Sequence, residues 1–73
     1  MTEIGALGEA AKVEGFALAG ALVFAADLRG DVEAAWGALP DDLGVLILTP
    51  AAADVLDARL GEHPRLLLVV MPE

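Results

Sequence analysis

Cysteine and serine are both absent from this chain. The first absence excludes disulfides and cysteine-based metal sites. The two together exclude serine and thiol nucleophiles. Histidine occurs once, as His63 before Pro64 in an expected loop. One imidazole without a second ligand makes a poor metal site, so His63 is read as solvated. Bases are scarce: Lys12, Arg29, Arg59 and Arg65 stand scattered against twelve acids, giving a formal net charge of -8. No basic stripe exists to neutralise phosphates, which argues against nucleic-acid binding. An anionic membrane surface would repel such a chain. Long apolar runs are missing too. The longest, Gly15 to Ala26, is about 12 residues, where a membrane span needs roughly 20. Met1-Thr2-Glu3 has no cationic leader character. The expectation is a cytoplasmic chain without direct membrane insertion.

What is present is apolar. Of 73 residues, 58% are hydrophobic, and much of that is alanine. Residues 1–73 fit one domain with a small core, marginal in stability by itself. Helical and strand-like segments alternate. Ile4 to Leu7 reads as a first strand, and Gly8-Glu9 as a turn. Ala10 to Ala19 reads as a helix with Val13, Phe16, Ala17 and Gly20 on one face. Ala21 to Ala25 is a second strand. Asp31 is a suitable N-cap for a helix over Val32 to Leu39, carrying a Val32/Ala35/Trp36/Leu39 stripe and stopped by Pro40. Asp41-Asp42 is a turn. Leu43 to Leu48 is apolar on both faces, as strands of a covered parallel sheet are. Thr49-Pro50 opens a third helix, with threonine capping and proline at the first helical position. Ala52, Val55, Leu56 and Leu60 face inward, and Gly61 is the expected C′ residue. Leu66 to Val70 is the last strand.

The alternation predicts an α/β fold, a small four-stranded parallel sheet with three helices, for which the flavodoxin-like order 2-1-3-4 is the expected one. Right-handed crossovers then put the first helix on one face and the next two on the other. One face is left under-covered beside strands 3 and 4. A patch that apolar should be buried by something. The expected docking surface is Leu46, Leu48, Leu67 and Val69, or their alternates. Both parities are apolar, so the sequence leaves the exposed one open.

Two motifs carry a family resemblance. The first is Gly8, Glu9, Val13, Gly15, Phe16, Leu18, Ala19 and Gly20; the second is Asp42, Gly44, Leu48 and Thr49. Together they resemble the F-subunit family of the V-type and archaeal-type (V/A) rotary ATPases and ATP synthases. That family's first motif reads Gly-Asp-x-x-Thr-Val-x-Gly-Phe-x-Leu-Ala-Gly, so Glu9 stands for the aspartate and Lys12 for the threonine. Its third strand resembles Asp-x-Gly-x-x-x-(Ile/Leu)-Thr. The similarity covers nearly the whole chain. It departs in a short Gly20–Asp42 segment, and the sequence stops at Glu73, before the family's long C-terminal helix. The resemblance implies a non-catalytic central-stalk component, peripheral to a membrane complex. It would bind the coiled-coil D subunit of the stalk and couple ATP turnover to proton or sodium transport. No cofactor is implied. The alternative is a free-standing α/β module that self-associates through its bare face and has lost the ATPase role.

Other chemistry is weakly encoded. A phosphate at the first helix would meet backbone N–H groups, but Glu9 opposes it. A response-regulator receiver needs an acceptor aspartate where Thr49-Pro50 stands. Asp41-Asp42 reads as a turn, and Asp54 with Asp57 as a solvated helix edge, rather than as metal ligands. A small enzyme or ligand sensor would use the C-terminal ends of the strands. Trp36 is expected in the core rather than as an interface anchor.

Overall fold

In a computed structural model, which describes residues 3–72, four strands form one sheet in the order β2-β1-β3-β4. They are β1 (Glu3–Gly8), β2 (Leu22–Ala25), β3 (Leu43–Leu48) and β4 (Leu67–Val70). All neighbouring pairs run parallel. The α-helices are α1 (Ala10–Val13), α2 (Arg29–Gly37) and α3 (Pro50–Val55). The α/β class, the strand order and the parallel pairing are those expected from the alternation.

The helices differ from expectation in kind. Only four residues of the first one are α-helical; Glu14–Ala19 continues as a 3-10 helix. A second 3-10 helix, Asp57–Glu62, follows α3. Both runs exceed the usual three or four residues of this form. The expected inward face therefore breaks up: Val13 is buried, Phe16 is half-buried and Ala17 is exposed. Gly20 ends the segment in the left-handed region at φ 86°. Its N–H bonds to the Ala17 carbonyl, and that of Ala21 to the Phe16 carbonyl, which is the glycine C-cap expected of a closing turn.

α2 begins three residues before the expected start. Its N-cap is Leu28, and the Val32 N–H reaches the Leu28 carbonyl at 3.0 Å. Asp31 lies inside the first turn instead of capping it. There its charge still complements the helix dipole. α3 begins as expected: Thr49 caps it by accepting from the Ala52 N–H, and Pro50 follows. Gly61, expected just beyond that helix, lies within the second 3-10 helix.

One core lies between the sheet and the pair α2–α3. Leu7, Ala26, Val32, Trp36, Leu43, Leu46, Leu48, Ala52 and Leu56 form it. Trp36 is fully buried, and its Nε1–H donates to Glu62 Oε1 at 3.0 Å. The ring of His63 meets it edge-on at 4.6 Å. His63 is thus half-buried against the indole rather than solvated. Leu43 and Leu46 share the core face although they stand three positions apart, which strict alternation would put on opposite faces. The register explains this: Glu3 pairs with Leu43 and Ile4 with Val45, so Gly44 is an unmatched residue of a bulge. The extra residue reverses the alternation once. Ala6 and Val13 are also fully buried but lie outside this core. They mark the other face, where α1 packs on β1 and β2.

Candidate functional site

Two places in the fold gather the residues singled out by sequence. The first is the C-terminal edge of the sheet between β1 and β3. Strand order reverses there, and open α/β sheets bind ligands at such points. Gly8 ends β1, Glu9 follows it, and Thr49 follows β3. The Thr49 N–H bonds to the Leu7 carbonyl at 3.2 Å, so the side chain of Thr49 lies over Gly8. A Cβ on Gly8 would come within 2.3 Å of Thr49 Oγ1 and Cγ2. No side chain fits in that gap.

Thr49 is fully buried and its hydroxyl is fully engaged. It donates to Glu9 Oε1 at 2.5 Å and accepts from the Ala52 N–H at 3.3 Å. The hydroxyl beside Glu9 is the chief reason its carboxyl is held below the usual range, followed by a backbone hydrogen bond and by Lys12. Lys12 Nζ stands 3.4 Å from Glu9 Oε2. Beside them, the Ala10 N–H donates to Asp27 Oδ1 at 3.3 Å. The start of α1 therefore already faces the chain's own carboxylates, which oppose an anion there. The motif residues Gly8, Glu9 and Thr49, forty positions apart in sequence, make one interlocked unit. Its geometry is that of a clasp joining the first crossover to the third.

The second place is the sheet face opposite the core. In a parallel sheet, paired residues point the same way. Val45 pairs with Leu67 and Ile47 with Val69 on β3–β4, while Ile4 pairs with Val45 and Ala6 with Ile47 on β1–β3. These side chains form one stripe. Ile4 is 46% exposed, Leu67 61% and Val69 44%; Val45 and Ile47 are half-buried. The packing of β4 is essentially against β3, with no helix of the described residues laid over it on this side. The coverage of this face comes from α1, which packs on β1 and β2, and from the first 3-10 helix, which packs on β2. Between that 3-10 helix and the stripe runs a groove of about 350 Å³, lined by Glu3, Ile4, Phe16, Ala19, Gly20, Ala21 and Ile47.

This corrects the expected docking residues. Leu46 and Leu48 are completely buried against α2 and α3. They do not share a face with Leu67 and Val69. The alternates Val45 and Ile47 do. The sequence could not choose because β3 is apolar at every non-glycine position; the signal missed was the bulge at Gly44. Of the remaining motif residues, Phe16, Ala19 and Gly20 line the groove, Leu18 is 95% exposed, and Gly15 has open space around it. Asp42 sits in the turn before β3, and its carbonyl accepts from the Glu3 N–H at 3.4 Å. Val13 seals α1 against the sheet.

Among the described residues, no three His, Asp or Glu side chains are placed to hold a metal ion. No helix among them is long and apolar enough to cross a membrane. No protein-family model matches this chain, and no curated protein matches it.

Proposed function

We propose that this chain is a non-catalytic docking component, similar to the F subunit of the V/A rotary ATPases. It mounts on the central stalk through the open face of its sheet. The carrying observation is the uncovered stripe of Ile4, Val45, Ile47, Leu67 and Val69. Exposed apolar side chains scattered singly need no explanation, but a contiguous stripe on a sheet marks an interaction surface. The convergence of Gly8 and Glu9 with Thr49 supports the family part of the reading. It gives residues of both motifs one shared structural purpose. In this role the chain turns with the shaft and binds no ATP; the coupling of ATP turnover to ion movement belongs to the assembly.

Co-expression with the coiled-coil D subunit of a central stalk tests this directly. The two chains should elute together, and Leu67→Lys should separate them. Failure of the unsubstituted chain to bind refutes the rotary role. A second reading is self-association. It is favoured by β4, an edge strand of Leu-Leu-Val-Val with no charge or proline to blunt it. Light scattering distinguishes the two, since a homodimer persisting at low concentration selects the second.

A further inference from the structure

The outer side of β4 has no partner among the described residues: the sheet ends there, and β4 pairs with β3 alone. The other edge strand, β2, is flanked by α1 and the first 3-10 helix. The Met71 N–H donates to the Leu48 carbonyl at 2.8 Å, so Met71 turns its backbone toward β3. Alternation along the strand turns Leu67 and Val69 the same way, and points the N–H and C=O of Leu68 and Val70 outward. The side chains add a second observation. Val69 shares the open face with Ile47 and is 44% exposed; Val70 shares the core face with buried Leu48 and is 50% exposed. A body laid on the open face would cover Val69 and leave Val70 bare. A strand added beside β4 would shield both and would meet the free backbone groups.

We propose that this strand is β4 of a second copy, antiparallel across a two-fold axis at Val69, so that two four-stranded sheets join into one. The proposal rests on the self-association reading above and gives it a contact at the sheet edge instead of the sheet face. The backbone selects the register. With Leu68 facing Leu68 of the second copy, Val70 would need the Leu66 N–H, which already bonds to the His63 carbonyl at 3.0 Å. With Val70 facing Val70, Leu68 would need an N–H from Pro72, which has none. With Val69 facing Val69, Leu68 and Val70 of the second copy exchange both hydrogen bonds on each side of the axis. Leu67 then meets Met71 of the second copy, like faces join, and the contact is self-complementary. The stretch Arg65 to Pro72 holds one base and no acid, so the net charge of -8 is not concentrated at this edge.

The test uses the full chain at about 0.15 M salt, where charges more than about 8 Å apart are largely screened. Light scattering should give twice the chain mass, and the Leu68 and Val70 amides should exchange slowly with deuterium. Val70→Pro removes one outward donor and no bond to β3, at an edge position that accepts proline. It should keep the circular dichroism of the unsubstituted chain and raise the dimer Kd about tenfold or more. The chain has no cysteine, so Val69→Cys introduces one thiol, on the axis. Mild oxidation should cross-link it. Leu67→Cys, off the axis, should stay uncross-linked, because its two thiols lie too far apart to bridge. Should Val70→Pro unfold, the two cysteine variants decide by themselves. Monomers throughout would remove self-association and this contact with it. A dimer that folded Val70→Pro leaves intact, or one in which Val69→Cys cross-links no faster than Leu67→Cys, would keep self-association and overturn the edge contact.

Discussion

Replacing Thr49 by valine removes one oxygen from the clasp and leaves its shape. The lost groups are the hydroxyl donor to Glu9 and the acceptor that caps α3 at Ala52. A hydrogen bond to a charged group contributes about 1.5–3 kcal/mol. A threonine N-cap contributes about 1 kcal/mol. The Glu9 side chain keeps 28% of its exposure, so water recovers part of what the hydroxyl supplied. The expected loss is therefore about 2–3 kcal/mol, somewhat less than the two contributions give together. In a domain of this size that lowers Tm by roughly 10–20 °C. Urea unfolding followed by circular dichroism should show a lower midpoint with an unchanged slope. The effect also carries a pH signature. The Glu9 carboxyl is held below its ordinary value, first by Thr49. The unfolded chain therefore takes up the proton before the folded one does. The stabilisation is complete above the unfolded glutamate value, about 4.3, and disappears as pH falls through the lower folded value. Thr49→Val should flatten this acid limb, and Glu9→Gln should flatten it further. A loss below about 0.5 kcal/mol, or an acid limb unchanged in Thr49→Val, would refute the clasp.

Gly8→Ala should destabilise by about 1–3 kcal/mol, read by the same unfolding curves, because the new Cβ falls 2.3 Å from a buried side chain. Leu46→Lys and Leu67→Lys form a paired test of which face is open. The first should abolish cooperative unfolding, since Leu46 has no exposure, and the second should change stability by less than about 0.5 kcal/mol. Trp36→Ala should cost about 3–5 kcal/mol, enough to leave a chain this small largely unfolded by circular dichroism.

Some of this molecule was legible residue by residue. Leu43 to Leu48 declared a covered parallel strand, because only such a strand tolerates apolar side chains in both directions. Thr49-Pro50 declared a helix start, because capping and a fixed φ are local properties. The segment Ala10 to Ala19 misled. Its spacing fits an α-helix, but only Ala10–Val13 is α-helical and Glu14–Ala19 continues as a 3-10 helix, a difference the local pattern does not carry. The lone Asp31 misled in a smaller way, since the capping preference is local while the position of the chain entering α2 is not.

The sequence by itself determined the fold class and, for the order 2-1-3-4, the shortage of helices over one face. Those follow from the alternation of segments, crossover handedness and a count of elements, whereas the order itself is set by the pairing of the strands. Only the tertiary structure decided which side chains the bare face presents. A single unpaired residue, Gly44, shifts every later position of β3 to the opposite side, so that Leu46 is buried and Ile47 lies on the open face. The pairing of Glu9 with Thr49 was likewise decided there. Contacts across forty residues depend on strand register, and register is a property of the assembled sheet rather than of any one segment.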